Sequence, residues 1–428
     1  MDLKVSKKDF IWNMFGSTAF SFVSMFLSLV IINLTDTNIG GIFSFGYTAL
    51  AQTIFTISYF GARSYHISDV QYRFNFNTYK MQRILTSIFA LLIGFLYVVL
   101  LYIKNIYDIE KTIILCLLVI CGMLDGLFDV YECELQRVNK LYLAGIGLFL
   151  RTIIFAMILV SMVIVTNNLI LSLVVATIFK FIIGYIFEIN ILNKELDDAS
   201  LNINVDHKMI VELTIVLLPM FLSTFMDIIL HSGQKFAIDL YIDDYHNGLY
   251  NILFMPSNII YLMANFIMRP LVTNLSILYE SNNKEYYKKT TKILHIGFLL
   301  TGLILVISIL VFIKIYIIII RFITNNAYGV DLTSVTTITM FVLIMFGSCF
   351  YAMSTPLFHF LVIEKKLKQL VICYIVATIV SILLNFILIW KFGFFYSSVS
   401  YFLSMLIWFM IIYLCFNIGK IKCLNMKS

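Results

Sequence analysis

Two basic residues of this sequence lie deep inside apolar segments. Arg151 follows about nine residues of one apolar run, and Lys180 lies near the middle of the next run. An ionisable side chain inside a membrane costs several kcal/mol unless protein, water or a ligand compensates for its charge. Arginine and lysine at such depth can bind an anion, because both donate charged hydrogen bonds to phosphate or carboxylate oxygens. The alternative is an internal ion pair with a carboxylate, and the sequence leaves both interpretations open.

A stripe of acidic and amide side chains precedes Arg151. Asp125, Asp129, Glu132 and Gln136 are spaced by four, three and four residues, which places them on one face of a helix. That face cannot point towards lipid. Asp125 and Asp129 are candidates for coupling to H+ or Na+, whereas Glu132 and Gln136 fit a helix end that leaves the membrane.

The sequence has none of the common motifs of catalytic or nucleotide-binding sites. HExxH, GxSxG, Walker and Rossmann glycine patterns do not occur. His231, His295 and His359 do not have the spacing of metal ligands, and the seven cysteines contain no CxxC pair. We therefore expect no enzyme, no metal site and no cofactor.

The composition predicts the elements that position these residues. Hydrophobic residues make up 61% of the 428 residues and charged residues only 13%, whereas a soluble domain has about 25% charged residues. A membrane-spanning helix needs about 20 mainly apolar residues. Twelve such runs are predicted, at approximately residues 9 to 33, 38 to 62, 82 to 104, 111 to 131, 142 to 165, 168 to 191, 209 to 231, 247 to 270, 293 to 319, 335 to 361, 369 to 391 and 393 to 416.

Basic residues are distributed unevenly between the runs. Of the 30 lysines and arginines, 22 lie in the two termini and in or next to the alternate connections on their side, 6 in or next to the other connections and 2 deep inside runs. The positive-inside rule therefore predicts a multi-pass plasma-membrane protein with both termini in the cytoplasm. Because this placement accounts for the net charge of +6, we expect no nucleic-acid partner.

The most polar connection, from Asn193 to Lys208, divides the runs into two sets of six. We predict an N-terminal six-helix lobe over residues 1 to 199 and a C-terminal six-helix lobe over residues 200 to 428. Both lobes would begin on the cytoplasmic side, so any internal repeat would be parallel, about an axis along the membrane normal.

Three stretches after predicted helices, and the eighth predicted helix itself, carry a resemblance to a known family. They are Gly61–Asp69 (GARSYHISD), Asp129–Leu141 (DVYECELQRVNKL), Gly233–Asp239 (GQKFAID) and Gly248–Leu271, the last containing Arg269-Pro270. With these stretches, essentially the whole chain resembles the O-antigen and capsular polysaccharide repeat-unit flippases. These form the Wzx-type polysaccharide transporter family of the multidrug/oligosaccharidyl-lipid/polysaccharide (MOP) exporter superfamily.

The resemblance implies an all-α integral membrane fold, with about twelve transmembrane helices in two six-helix lobes around a central cavity, as in MATE-like exporters. It implies that undecaprenyl- or polyprenyl-pyrophosphate-linked oligosaccharide crosses the plasma membrane by alternating access, for cell-surface polysaccharide biosynthesis. H+ or Na+ would be the coupling ion. Polysaccharide polymerase and chain-length proteins would be partners, besides membrane lipid. Sugar hydroxyls need a polar path through the bilayer, which agrees with such a cavity.

Five basic residues are predicted to bind the substrate. Arg63 and Lys235 match basic positions in the family motifs, and Arg269 matches the end of the eighth helix. Arg151 and Lys180 are assigned from their depth in the membrane alone.

Two other functions are possible from the sequence. A drug or cation exporter of the same superfamily would need carboxylates deep in the first lobe, and the first two apolar spans contain none. A membrane-embedded polysaccharide polymerase or glycosyltransferase would carry catalytic residues on a large outer loop. No connection exceeds about 20 residues, whereas an independent domain usually needs about 50 or more.

Overall fold

A computed structural model describes residues 7–69, 73–195, 206–281, 283–311, 318 and 334–425. Within these residues the chain forms twelve long helices and no β-strand. They are α1 (Lys7–Leu34), α2 (Thr37–Phe45, Gly46–Leu50 and Ala51–Tyr59), α3 (Phe76–Ile103), α4 (Ile109–Arg137), α5 (Leu141–Thr166), α6 (Leu169–Gly184, Tyr185–Ile189 and Asn190–Glu195), α7 (His207–Tyr241), α8 (Asp244–Ser281), α9 (Asn283–Val311), α10 (Val335–Ile363), α11 (Leu367–Phe392) and α12 (Tyr396–Asn425). A short helix, Ala62–Ser68, follows α2.

Ten of these helices are long and apolar enough to cross a membrane. The other two, α2 and α8, cover the remaining predicted runs at residues 38 to 62 and 247 to 270. A π-helical turn over Gly46–Leu50 divides α2 into shorter α-helical segments. Each predicted run therefore overlaps one helix, although the end of the ninth run, at 312 to 317 and 319, lies outside the described residues. This agreement confirms the predicted all-α membrane fold.

Four helices begin at a capping side chain. Asn75, Asp108, Asn168 and Ser334 each accept a hydrogen bond from the backbone N–H three residues further on, at 2.7 to 3.1 Å. A capping side chain satisfies one of the backbone donors that an N-terminal turn leaves unpaired. The starts of α3, α4, α6 and α10 are thus set by local sequence.

The chain packs as two compact units, Met1–Phe225 and Met226–Ser428. The division falls inside α7, whose first half packs in the first unit. There the Phe60 ring stacks on Phe221 with centroids 4.2 Å apart, and a Cβ at Gly61 would lie 2.9 Å from the Met220 carbonyl carbon. Gly61 has φ +65° and ends the turn after α2, a conformation that glycine adopts without strain. The lobe boundary at residue 199 stays a prediction.

Glycines allow two helix pairs of the first unit to approach closely. A Cβ at Gly145 of α5 would lie 2.4 Å from the Trp12 carbonyl oxygen of α1, and one at Gly122 of α4 would lie 2.3 Å from the Ala51 carbonyl oxygen of α2. In α4, a Cβ at Gly126 would lie 2.3 Å from Ser58 Oγ of α2. Small residues at crossings let the backbones of membrane helices come together. These crossings hold α4 and α5 where their charged side chains can meet.

Candidate functional site

Eight charged side chains contact one another inside the first unit, and we call them the charged network. The network consists of Arg63, Arg83, Arg151, Lys180, Asp125, Asp129, Glu132 and Glu188. Apart from Arg63 and Asp125, which are 32% and 14% exposed, these side chains are at most 5% exposed. Basic and acidic residues are equal in number, so the network as a whole is neutral when all eight are charged. Pairing is what makes such burial tolerable.

Helix α4 supplies three of the acids from one face, as their spacing predicts. From the sequence, Glu132 was expected at a helix end that leaves the membrane. The structure instead places it inside α4. Because α4 continues to Arg137, Glu132 is buried, with one oxygen 3.2 Å from Arg63 Nη1 and the other 3.0 Å from Arg151 Nη2.

Arg151 of α5 contacts three carboxylates. Its Nη2 lies 3.0 Å from Glu132 Oε1, its Nε lies 3.6 Å from Asp125 Oδ1, and its Nη1 contacts both carboxylate oxygens of Glu188. The internal ion pair, which was one of the two interpretations open from the sequence, is therefore present. Binding of substrate by Arg151 stays a prediction.

Glu188 was not identified from the sequence as a site residue. It lies on a π-helical turn of α6, Tyr185–Ile189, and π-bulges often occur at functional sites. Gly147, one turn before Arg151, leaves room for it, because a Cβ at Gly147 would lie 2.9 Å from Glu188 Cγ. The sequence did contain a signal for Glu188, because a carboxylate inside the sixth predicted run indicates a functional or paired residue.

Lys180 of α6 pairs with Asp125. Its Nζ donates to Asp125 Oδ2 at 2.7 Å and to the Cys121 carbonyl oxygen at 3.3 Å. The same Nζ lies 4.8 Å from the centroid of the Phe155 ring. Asp125 thus joins Lys180 to Arg151, and all three side chains belong to one connected set.

Asp129 joins two arginines. Arg63 Nη1 lies 2.6 Å from Asp129 Oδ1, and Arg83 Nη2 lies 3.2 Å from Asp129 Oδ2. Arg83 also donates from Nη1 to the Gly126 carbonyl oxygen at 2.8 Å. Arg83 is one of the 22 basic residues that the positive-inside count assigned to the cytoplasmic side, in the connection before the third run. That assignment is corrected, because α3 begins at Phe76 and Arg83 is buried within it.

Two of the family-like motifs pack against each other in the first unit. His66 Nε2 lies 2.7 Å from Glu134 Oε2, and Arg137 lies 2.8 Å from Glu134 and 4.0 Å from Asp69. Burial lowers the pKa of His66, which favours the neutral imidazole. A neutral imidazole can donate its Nε2–H to Glu134. The motifs Gly61–Asp69 and Asp129–Leu141 therefore form one polar contact.

In the second unit, α7 carries Asp227, His231 and Lys235 at a spacing of four. Asp227 accepts hydrogen bonds from the hydroxyls of Tyr351 and Tyr374, at 2.8 and 3.2 Å. Among the described residues no lysine or arginine forms an ion pair with Asp227, unlike Asp125 and Asp129. The sequence analysis did not single out Asp227, although a carboxylate inside the seventh predicted run was a signal for it.

Lys235 and Arg269, the other two predicted binding residues, lie in the second unit. Lys235 is buried in α7 with Nζ 5.0 Å from the Phe254 ring centroid, and its carbonyl oxygen accepts a hydrogen bond from Asn247. The predicted run ended at residue 231, but α7 continues to Tyr241, so this motif is helical. Arg269 lies within α8, and its side chain is outside the described residues.

No protein-family model matches this sequence, and no curated protein sequence matches it. Solved structures match nearly its whole length. The inward closed conformation of the lipid II flippase MurJ has a TM-score of 0.69 at 13% identity and covers 95% of this chain and 87% of its own. An inward-facing multidrug resistance MATE family transporter of the MOP superfamily has a TM-score of 0.66 at 10% identity, over 97% and 100%.

A MOP superfamily transporter from Pyrococcus furiosus, described as having a binding pocket of reverse polarity, has a TM-score of 0.52 at 14% identity, over 96% and 94%. At these identities the likeness concerns the fold. Together with ten helices that are long and apolar enough to span a membrane, it shows that the chain is a multi-pass, all-α integral membrane protein with the fold of the MATE and MurJ transporters.

Proposed function

We propose that this protein is a flippase, which moves lipid-pyrophosphate-linked oligosaccharide repeat units across the plasma membrane by alternating access. The observation that carries the proposal is the charged network. It gathers three basic side chains from long apolar helices and Arg63 from the short helix after α2, and each of its carboxylates is already paired with one or more of these four. An exporter of organic cations would need an available carboxylate there, whereas a carrier of a phosphate needs the basic groups.

A substrate phosphate would compete with carboxylates for these basic groups. Arg151 is the strongest candidate, because its guanidinium can bind a phosphate through two N–H groups at once. Arg63 is the most exposed basic member of the network. Since the network is neutral, an entering phosphate would add uncompensated negative charge. Protonation of a displaced carboxylate or uptake of a cation would restore the balance, which gives a physical reason for coupling to H+ or Na+.

One observation favours a second candidate function. Asp227 is held by tyrosine hydroxyls, without a basic partner among the described residues. A carboxylate of this kind can take up a proton, a sodium ion or an organic cation. In a flippase it would be the coupling site, in place of the sequence-based candidates Asp125 and Asp129. In a cation exporter it would bind the transported molecule.

Reconstitution tests the two functions against each other. Purified protein would be placed in liposomes with a fluorescent polyprenyl-pyrophosphate-linked oligosaccharide, and loss of signal to a membrane-impermeant quencher would report translocation. We expect faster translocation than in protein-free liposomes and no uptake of ethidium. Uptake of ethidium without movement of the lipid-linked sugar would establish the exporter and reject the flippase.

A pair of arginine variants connects this activity to the network. Arg63→Gln removes a charge that contacts Asp129 and Glu132. We expect the rate of translocation to fall at least about tenfold, which corresponds to a loss of about 1.4 kcal/mol in transition-state stabilisation. Arg73→Gln is the matched control, because Arg73 is exposed and forms its ion pair with the exposed Glu212, outside the charged network. Exposed ion pairs contribute little. Equal activity of both variants would contradict a role for the network.

A further inference from the structure

A groove of about 360 Å³ lies in the first unit between α3 and the first half of α7. Leu85 and Phe89 of α3 line one side, and Val211 and Ile215 of α7 line the other. These four side chains are 49% to 65% exposed. Because they belong to membrane-spanning helices, the groove opens towards the hydrocarbon of the bilayer.

The groove is small. Its volume is near the lower end of the range of about 300 to 1,000 Å³ that is typical of small-molecule sites. One face of each of two helices forms its walls. A lipid with one hydrocarbon chain fits this shape better than a glycerophospholipid, which has two chains side by side.

Gln82 is the polar side chain of the groove that points to a ligand with a polar group. This residue lines the groove and is 1% exposed, and neither its amide oxygen nor its amide nitrogen has a hydrogen-bond partner. A buried amide without a partner is costly, and native proteins rarely leave one. A hydrocarbon chain alone would leave the amide unsatisfied, whereas a phosphate oxygen can accept a hydrogen bond from Nε2.

The position of Gln82 along the helix suits a lipid phosphate. It lies six residues after Phe76, the first residue of α3, or about 9 Å at 1.5 Å per residue. The segment just before α3 lies against the second turn of α7, because Arg73 lies 2.5 Å from Glu212. The polar group would therefore lie near the membrane surface, in the cytoplasmic leaflet on the predicted orientation, with the chain extending past Phe89.

Two residues that line the groove are close in sequence to members of the charged network. Phe60 and Gln82 line the groove, while Arg63 and Arg83, three residues and one residue later, contact Asp129. A phosphate beside Gln82 would thus lie next to the segments that carry two arginines of the network.

We propose that this groove docks the polyprenyl chain of the lipid-linked substrate, with Gln82 donating a hydrogen bond to the first phosphate. This inference rests on the proposed function and specifies where the lipid part of the substrate binds. The pyrophosphate-linked sugar would extend towards the charged network, and the chain would stay in the bilayer.

Binding to purified protein in phosphatidylglycerol nanodiscs tests the inference. The probe is radiolabelled undecaprenyl phosphate, with undecaprenol as the form without phosphate. Leu85→Trp and Ile215→Trp fill the groove, and we expect each to weaken binding of undecaprenyl phosphate at least tenfold. Leu92→Trp is the matched control, because Leu92 lies on the same face of α3 two turns further on, is also exposed and does not line the groove.

Gln82→Leu tests the polar contact at nearly constant volume. The wild-type protein should bind undecaprenyl phosphate at least tenfold more tightly than undecaprenol, and Gln82→Leu should remove that preference. If a tryptophan variant is poorly folded, Gln82→Leu decides the question. Wild-type binding by Leu85→Trp and Ile215→Trp, or an unchanged phosphate preference in Gln82→Leu, would overturn the inference.

The outcomes also separate this inference from the proposed function. If phosphatidylglycerol occupies the groove and undecaprenyl phosphate does not displace it, the occupant is bulk phospholipid and the inference is wrong, while translocation by the wild-type protein would still support a flippase. Groove-dependent binding of undecaprenyl phosphate, without translocation of the lipid-linked sugar, would support the docking site and contradict the flippase.

Discussion

Arg151 and Glu188 are 37 residues apart in the chain, and Nη1 of the arginine contacts both carboxylate oxygens of the glutamate. Both side chains are buried. The contact joins α5 to the π-helical turn of α6 and connects Glu188 to the rest of the charged network. It is the ion pair on which the stability of the network can be tested most directly.

Arg151→Ala should destabilise the protein. The change removes the basic partner of Glu188 and leaves Glu132 paired with Arg63. Removing one member of a buried ion pair typically costs about 3–5 kcal/mol. We expect lower abundance in the membrane and a lower thermal unfolding midpoint in detergent. Arg151→Lys should lose less stability than Arg151→Ala, because lysine keeps the positive charge and lacks only the planar guanidinium group.

A double variant separates structure from substrate binding. Arg151→Met with Glu188→Gln removes both charges of the pair, so abundance should recover towards that of the wild type. Translocation should stay absent if Arg151 binds the substrate phosphate. A fully active Arg151→Ala protein of normal abundance would contradict both the structural and the substrate role. Recovery with Asp125→Asn instead of Glu188→Gln would show that Asp125 is the dominant partner.

Gly145→Leu should disrupt the crossing of α1 and α5. A Cβ at Gly145 would lie 2.4 Å from the backbone oxygen of Trp12, and backbone cannot move aside as a flexible side chain can. We expect a loss of about 1–3 kcal/mol or more in unfolding free energy, as overpacking typically causes. Gly302→Leu is the control, because nothing lies within 4 Å of a Cβ there. Equal thermal midpoints for the two variants would contradict the backbone contact.

Asp227→Asn should abolish the response of transport to an ion gradient without unfolding the protein. The amide oxygen can accept a hydrogen bond from one of the two tyrosine hydroxyls, and the amide nitrogen can donate to the oxygen of the other, but the side chain can no longer gain or lose a charge. Translocation would be measured in liposomes under imposed pH and Na+ gradients, with Asp243→Asn as the control, since Asp243 is exposed between α7 and α8. Unchanged gradient dependence in Asp227→Asn would exclude this carboxylate as the coupling site.

Both termini should lie in the cytoplasm, because basic residues are concentrated in the connections on that side. Reporter fusions at Asn193 and Ser428 should both give a cytoplasmic signal. An external signal at either position would contradict the predicted orientation and its even number of crossings.

The sequence alone determined where the helices are. A bilayer provides no hydrogen bonds for exposed backbone, so a spanning segment must be helical and must contain about 20 mainly apolar residues. Both requirements depend on consecutive residues, so they can be recognised in a segment of about 20 residues of sequence. The twelve predicted runs therefore overlap α1 to α12. The position of a charged residue within an apolar run is local as well, so the sequence also identifies Arg151 and Lys180 as deep in the membrane.

The tertiary structure alone decided which charges meet. The spacing in α4 placed Asp125, Asp129 and Glu132 on one face, but spacing within one helix cannot show which side chain of another helix lies opposite. Glu188 reaches Arg151 because a π-helical turn and Gly147 set the distance between α5 and α6. Such contacts depend on how helices cross and rotate, and these relations are fixed only when the whole unit packs.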